Sequence, residues 1–541
     1  MAVRFHTFVI ALLLALPASS AEIRFREVVD SGVTFRFING SRGRHDLPEI
    51  MGGGVALIDG DGDGLLDLYF CQGGPISPSV TQVMEDPPCR FYRNLGGMKF
   101  ADTSRMANAP GPGYAMGAAV ADFDNDGRDD LFVTGWRDQR LYRNLGDGRF
   151  EDVTRRAGLE SKLWSTSAAW CDLDADGDLD LYVANYLDFD PAVAPYCAAP
   201  DGRRDYCGPE DFPAQFDRLY RNNGDGTFTD VSKVAGIDDN EGRGLGVIVV
   251  DLVGDPRPDI YVANDGTACR LFENLGGLKF REVGATSGVA FDGQGQPIAG
   301  MGVAAGDLDG DGRSDLVVSN FHGRTTLGFL NRGPGAFLDA SAALGLTAAT
   351  RKVTGFGLAL CDFDLDGRLD LIQNNGHVLD RARLGVPFAM RPTLLRNTGK
   401  RFEDVTKEGG KSFLNESLGR GLAVGDLDND GKTDLVLTSL DASPILLRNE
   451  SNGGSRVVEL KGRRSQAFGA RLRVTSEGLE IVRELPGGGN YLSSSDRRII
   501  LGSGGRLDKI EVTWPSGEAE SWRNLPPTGI IRIVEGSERY R

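Results

Sequence analysis

The sequence predicts an all-β fold: a seven-bladed β-propeller closed by its own N-terminal strand and followed by a small C-terminal β domain. Three observations predict it. A nine-residue pattern, Asp-x-Asp-x-Asp-Gly-x-x-Asp, begins at Asp59, Asp122, Asp172, Asp307, Asp362 and Asp426, with a damaged seventh copy at Asp251. Each copy sits among four short β runs separated by turn residues, at a period near that of a propeller blade. The parts also sum to a ring, because a strand missing from the last repeat stands before the first.

The repeat begins with a Gly/Ala-rich apolar run such as Met116–Ala121, which suits the crowded strand nearest an axis. The aspartate loop follows, then a β-rich run such as Asp130–Val133. Next come Leu141-Tyr142-Arg143-Asn144 with a glycine turn, and Phe150-Glu151-Asp152-Val153-Thr154. The Asn-x-Gly turns at Asn144, Asn222 and Asn274 suit tight hairpins, since Asn and Gly tolerate positive φ. No helix-period stretch of useful length interrupts the pattern. Loop starts are separated by 63, 50, 79, 56, 55 and 64 residues. The first Phe-x-x-Val strand, Phe25-Arg26-Glu27-Val28, precedes any loop, and the last repeat lacks one. It therefore completes the seventh blade and removes most of the open sheet edge.

The expected organisation is a secretory signal at 1–21, a propeller over 22–451 and a β domain over 452–541. Arg4, the apolar run Phe8–Leu16 and Ala18-Ser19-Ser20-Ala21 have the order of a cleavable leader. That run is too short to anchor a chain in a bilayer, and no later stretch is apolar enough to span one. The expectation is an exported chain, extracellular or periplasmic. A net charge of −17 argues against a nucleic-acid partner, which needs basic stripes. Of the seven cysteines, Cys197 and Cys207 share one loop and can close it as a disulfide, and Cys71 and Cys89 flank another. Cys171 and Cys361 read as buried thiols, and Cys269 has no evident partner. No Cys/His spacing resembles a zinc site.

The aspartates point to calcium. A hard cation of this size takes six to eight oxygen ligands at about 2.3–2.6 Å. Positions 1, 3, 5 and 9 of the intact loops supply carboxylates: Asp59, Asp61, Asp63 and Asp67; Asp122, Asp124, Asp126 and Asp130; Asp172, Asp174, Asp176 and Asp180; Asp307, Asp309, Asp311 and Asp315; Asp362, Asp364, Asp366 and Asp370; Asp426, Asp428, Asp430 and Asp434. Glycine at position 6 allows the sharp turn, and the carbonyl at position 7 adds a ligand. Six intact loops imply about six structural Ca²⁺, whose +12 would bring −17 to −5. Mg²⁺ fits less well, because it demands octahedral geometry and keeps its waters. In the loop at Asp251, Val253 replaces an aspartate and Pro256 the glycine, so Asp251, Asp255 and Asp259 read as a structural relic.

This pattern resembles the FG-GAP, or VCBS, repeats of integrin-type propellers over residues 22–451. Residues 453–536 resemble the ASPIC/UnbV domain through Gly469-Ala470-Arg471, Gly487-Gly488-Gly489-Asn490-Tyr491-Leu492-Ser493, Leu501-Gly502 and Trp514-Pro515-Ser516-Gly517. The combination is similar to bacterial relatives of the cartilage acidic protein family. The integrin-type resemblance implies an adhesion-like binding role. The glycine-rich stretch Pro486–Asn490 has no phosphate-binding helix after it and reads as a turn.

Alternating strand direction places the longest insertions, Gln72–Pro88, Tyr186–Phe216 and Asn375–Pro392, on the face opposite the aspartate loops. Loops of this kind carry function on rigid scaffolds. Candidate contact groups there are Tyr186, Asp188, Asp190, Tyr196, Tyr206, Glu210 and Asp211, with Tyr114, Trp136, Trp164, His45, His322 and His377. Asn185, Asn264, Asn320 and Asn374 end the second strands on the same side. These groups either bind a partner or pack the loops. No nucleophile elbow or metalloprotease motif is present. The sequence therefore points to a non-catalytic binding or adhesion-type scaffold for a protein or glycan. The alternative is a carbohydrate-active enzyme, a polysaccharide lyase or hydrolase, with its site on that face.

Overall fold

The computed structural model describes residues 22–76, 88–199, 202–237, 242–476, 479–502, 507–526, 529–537 and 540. The expected leader at 1–21, and most of the insertion Gln72–Pro88, lie outside them. The described chain is all-β with short helical turns, built on repeated four-stranded antiparallel sheets consistent with a β-propeller.

Seven such sheets follow one another, the fourth widened to six strands by Ile298–Ala299 and by Gly487–Gly488 of the C-terminal region. Their first strands are Val55–Ile58, Ala115–Ala121, Ser165–Cys171, Gly244–Val250, Val303–Gly306, Gly355–Cys361 and Gly419–Gly425. Each of these packs beside the next, and Gly419–Gly425 packs beside Val55–Ile58. The fourth strand of the seventh sheet is the N-terminal Phe25–Glu27, which pairs antiparallel with Ile445–Asn449, Phe25 opposite Asn449. Small residues on the first strands let backbones approach: a Cβ on Gly421 would lie 2.3 Å from the Gly53 carbonyl oxygen. Larger side chains fill the space between sheets. Tyr69 and Phe91 of the first sheet, for example, share a buried cluster with Leu131, Tyr142 and Phe150 of the second.

Two local features differ from the sequence reading. One-turn helices follow several fourth strands, as at Ser104–Ala107, Thr154–Ala157 and Ser232–Ala235. Four residues carry no readable helical period; the residue before the N-cap, Asp152, accepts the Thr154 N–H on Oδ1 (3.0 Å), and Gly158 ends the turn at φ +76°. In the Asn-x-Gly turns, positive φ belongs to the glycines, such as Gly146 at +83°. The asparagine side chain accepts the glycine N–H, as Asn144 Oδ1 does from Gly146 (2.8 Å).

The C-terminal region forms two further sheets. One joins Ile499–Gly502, Ser455–Lys461 and Ile530–Val534; the other joins Leu479–Glu484, Arg471–Ser476, Lys509–Thr513 and Ala519–Arg523. The stretch expected to be a turn leaves these sheets and enters the middle of the first strands. With the residues that follow it to Asp496, it hydrogen-bonds to all seven sheets. Ser494 N–H donates to the Val55 carbonyl (2.9 Å), Ala118 N–H to the Leu492 carbonyl (3.2 Å) and Leu492 N–H to Ser167 Oγ (3.1 Å). Gly489 N–H donates to Val247 (2.7 Å) and Asn490 N–H to Val303 (2.6 Å). Leu358 N–H donates to Asn490 Oδ1 (2.9 Å), Asn490 Nδ2 donates to the Leu422 carbonyl, and Asp496 N–H donates to Val424 (2.9 Å). Only glycine fits where this segment passes the third sheet, since a Cβ on Gly487 would lie 2.2 Å from the Trp170 carbonyl oxygen.

Asn490 thus satisfies buried backbone groups on three different sheets. Asn490→Ala strands the Leu358 N–H and the Leu422 carbonyl, at roughly 1–3 kcal/mol for each unsatisfied group. We expect a clear fall in the urea midpoint with unchanged far-UV circular dichroism. An unchanged midpoint would show that the axial segment does not hold the sheets.

Candidate metal loops and the opposite face

Every aspartate loop connects the first and second strands of a sheet, on the side that also faces the C-terminal sheets. The ninth-position aspartate opens the second strand and is buried: Asp67, Asp130, Asp180, Asp259, Asp315, Asp370 and Asp434 are 0–1% exposed. One carboxylate oxygen accepts the N–H of loop position 2, as Asp130 Oδ2 does from Phe123 (3.1 Å). The other accepts the N–H of the third-strand asparagine, as Asp130 Oδ1 does from Asn144 (2.7 Å). That asparagine then reaches into the loop of the preceding sheet. Asn144 Nδ2 donates to the Gly60 carbonyl (3.0 Å), Asn222 to Phe123 (2.9 Å), Asn274 to Leu173 (3.0 Å) and Asn331 to Leu252 (3.0 Å). Asn397 donates to Leu308 (3.1 Å), Asn449 to Phe363 (3.0 Å) and Asn94 to Leu427 (2.9 Å). The last contact links the first sheet to the seventh. The sequence shows these asparagines only as turns, although their fixed place at the end of every third strand is the available signal.

The other aspartates converge. Carboxylate oxygens of Asp59, Asp61 and Asp63 lie within 4.8 Å of one another, as do those of Asp122, Asp124 and Asp130, of Asp172, Asp174 and Asp180, and of Asp307, Asp309 and Asp311. Position 1 accepts backbone N–H groups from the turn, as Asp122 does from Asp126 (3.0 Å) and Gly127 (2.8 Å). The glycine at position 6 is left-handed in all six intact loops, from +81° to +92°. Position 4 is left-handed as well, even at Ala175 (+62°) and Leu365 (+60°), where a Cβ makes this costly. Position 3 shares an arginine from the third strand: Arg143 Nε lies 2.6 Å from Asp124 Oδ2, and Arg448 Nε 2.7 Å from Asp428 Oδ2. The remaining oxygens, Asp124 Oδ1 and Asp428 Oδ1, are buried with no hydrogen-bond partner among the described residues, and so is Asp362 Oδ1.

Burial, and then the neighbouring aspartates, push these carboxyls up. Asp130 rises to about 9, Asp67 to about 8, Asp315 to about 7, and Asp122, Asp172, Asp362 and Asp426 to about 6. Converging carboxylates with unpartnered buried oxygens fit a hard cation, whose charge would offset the burial, and then the repulsion, that raise these values.

The loop at Asp251 keeps only part of this. Asp259 still accepts N–H groups from Leu252 (2.9 Å) and Asn274 (2.9 Å). With Val253 at position 3, the arginine partner is also gone: Glu273 stands at its place on the third strand and pairs with Arg281 at 2.6 Å. The prolines of this loop meet the C-terminal region instead. A Cβ on Gly517 would lie 3.7 Å from Pro256 Cγ, and one on Gly469 would lie 2.5 Å from Pro258 Cγ.

On the opposite face, most of the expected contact aromatics are core. Tyr114, Trp136, Trp164 and Tyr186 are buried in one cluster with Phe356, Tyr491 and Leu492. Asn185, Asn264, Asn320 and Asn374 are buried too and hydrogen-bond to backbone, as Asn374 does to the Gly421 and Thr438 carbonyls of the seventh sheet. Tyr196 is exposed. Cys197 and Cys207 are disulfide-bonded; Cys71, Cys89, Cys171, Cys269 and Cys361 are free. The insertions meet one another. Arg381 pairs with Asp205 (2.6 Å), Tyr206 Oη donates to Glu49 (2.9 Å), and the His45 and Tyr206 rings lie 4.9 Å apart. His377 is buried, accepts the Leu379 N–H on Nδ1 (2.9 Å), and lies 6.0 Å from the His322 ring. Its burial lowers it to about 4, so it is neutral. Arg420, absent from the sequence reading, is fully buried beneath them.

The family model of the FG-GAP-like repeat matches residues 59–133, 122–183, 200–262, 251–318 and 307–372, more than half of the chain. That of the FG-GAP repeat matches 418–457, and that of ASPIC and UnbV matches 461–539. Cartilage acidic protein 1 of Homo sapiens is 26% identical over 363 residues, covering 54% of this chain and 53% of its own length. That of Mus musculus is 27% identical over 362 residues, covering 54% of each. The chain spans about half the length of the curated relatives it matches. An Agrocybe aegerita lectin that recognises non-reducing terminal N-acetylglucosamine aligns over 72% of this chain and 87% of its own, at 19% identity and a TM-score of 0.40, too low to bear on function.

Two substitutions, in different loops, separate the hydrogen-bonding role of position 9 from the metal role of position 3. Asp259→Asn loses one of the two carboxylate oxygens that accept buried backbone N–H groups, so it should destabilise the protein by roughly 1–3 kcal/mol in calcium and in EGTA alike. Asp124→Asn should instead narrow the gap between the two melting temperatures. Equal calcium dependence in both variants would overturn this division.

Proposed function

We propose that this chain, which belongs to the FG-GAP-like repeat family and carries an ASPIC and UnbV domain, is an exported calcium-binding scaffold that holds a protein or glycan partner on its insertion face. In this reading residues 22–451 form a seven-bladed propeller closed by Phe25–Glu27, and 452–541 form the second domain. The asparagine contacts that run from sheet to sheet and return from Asn94 to Leu427 support closure. The observation that carries the calcium reading is the unpartnered, buried oxygen on Asp124, Asp362 and Asp428 within converging carboxylate loops. About six ions are expected, one in each loop that keeps its third-position aspartate and sixth-position glycine.

The calcium is structural. It joins carboxylates that are adjacent in sequence, and the axial segment from the C-terminal region occupies the middle of the first strands. A partner is therefore expected at the other end, where insertions from different sheets are locked together by Arg381–Asp205 and Tyr206–Glu49. Export fits ion sites of modest affinity, which fill at extracellular calcium and empty at cytosolic levels.

Extracellular calcium modules bind at about 10⁻⁴–10⁻³ M. At about 2 mM calcium each site would add roughly 0.6–1.8 kcal/mol by mass action. Stripping with EGTA and restoring Ca²⁺ should raise the melting temperature by many degrees, with Mg²⁺ far weaker and about six ions per chain by elemental analysis. No shift and no bound ion would overturn the calcium reading. For the scaffold reading, glycan arrays and pull-downs should give binding that Arg381→Glu weakens, with no new reducing or unsaturated ends. Turnover of a bound polysaccharide would replace the scaffold by an enzyme.

A further inference from the structure

Two cavities adjoin at the axial mouth of the insertion face. One, of about 450 Å³, is largely apolar, with Met51, Leu245, Met301 and Phe356 in its wall. The other, of about 310 Å³, is rich in arginine and contains Arg381, Arg383, Arg420 and His45. Ile50, Tyr206 and Val378 line both. Volumes of this order accommodate small molecules.

The charges in the second cavity are unevenly satisfied. Its acids are engaged: Glu49 by Tyr206 Oη, Asp205 by Arg381, Asp380 by the Ala382 N–H and Asp441 by the Asn39 N–H. Arg420 is 0% exposed and meets only carbonyls: Ile50 through Nε (2.9 Å), Gly419 (2.8 Å) and Gly376 (3.2 Å) through Nη1, and His377 (3.3 Å) through Nη2. Its guanidinium lies 4.0 Å from the Phe356 ring centre, so it abuts the wall of the apolar cavity. No carboxylate of the described residues lies within ion-pair distance. Four of its five N–H groups are thereby used, leaving one on Nη2. A buried cation without an anion is costly, and in a chain of net charge −17 it stands out. Arg383 is exposed at the rim. His45 Nδ1 is buried without a hydrogen-bond partner, on a residue held at φ +57°. A non-glycine residue there often marks a functional constraint.

We propose that the two cavities are one binding site for a small carboxylate with an apolar tail. The head enters at Arg383 and His45, with the charge of Arg420 closed into the wall behind it, and the tail lies along Met51, Met301 and Phe356. The planar guanidinium fork suits a carboxylate, and the apolar chamber beside it has room for the chain behind that head. This deepens the scaffold reading, because it assigns a ligand to the face on which that reading places the partner.

The test is calorimetric titration of the full chain, in calcium, with decanoate. One saturable site is expected. Affinity should fall about fourfold for each methylene removed, from roughly 0.8 kcal/mol per buried CH₂. Decanol and decyltrimethylammonium should bind at least tenfold more weakly. Arg383→Gln should weaken decanoate about tenfold, the scale of one charge-assisted hydrogen bond. Val378→Trp fills the junction of the two cavities and should weaken it without touching a charge. Absence of a saturable site, or binding indifferent to head charge, would overturn the proposal. Capture of a glycan or protein on this face without decanoate binding would overturn it while leaving the scaffold reading standing.

Discussion

The structure depends on a carboxylate that is buried whether or not a cation is near. The ninth aspartate of each loop accepts one backbone N–H from its own loop and one from the asparagine of its third strand, and that asparagine donates into the loop of the preceding sheet. Repetition turns these contacts into a continuous circuit through all seven sheets. Removing any carboxylate leaves buried donors unsatisfied, which costs more than the net gain of making an ordinary hydrogen bond. The circuit explains why the loop at Asp251 keeps Asp259 after losing its third aspartate and its turn glycine.

The C-terminal region is bound into the same architecture. Its axial segment supplies partners to inner-strand groups of every sheet, and its arginines reach the aspartate loops: Arg497 pairs with Asp129 at 2.7 Å, and Arg498 donates to the Asp426 carbonyl at 2.8 Å. Loop order and domain docking are therefore coupled through shared residues. The fourth loop shows the other side of that coupling, with prolines against Gly469 and Gly517 where the remaining loops keep converging carboxylates. The side that carries the aspartate loops is committed to this internal contact, and the proposed ligand site therefore lies among the insertions on the other side.

That face is made by long-range contacts. Residues that look like exposed aromatics in the sequence form a buried platform, and the reactive-looking groups above it come from insertions far apart in the chain. Arg420 belongs to the first strand of the seventh sheet, yet its hydrogen bonds run to Ile50 before the first sheet and to Gly376 and His377 after a strand of the sixth. Nothing in its local sequence sets it apart from other arginines.

The sequence by itself determined the all-β class, the repeat, the N-terminal strand that pairs beside Asn449 and the position of every aspartate loop, and it offered the Cys197–Cys207 pairing that the structure forms. These are local or periodic properties, fixed by spacing, turn chemistry and side-chain volume. Only the tertiary structure decided the rest. Pro486–Asn490 became an axial segment because its glycines allow backbone contact at a crowded centre, a property shared with any glycine-rich turn. The third-strand asparagines became links between sheets because their partners lie some 80 to 330 residues away in the chain. The burial of Arg420 without a carboxylate arises only where three sheets meet, so no window of sequence contains its cause.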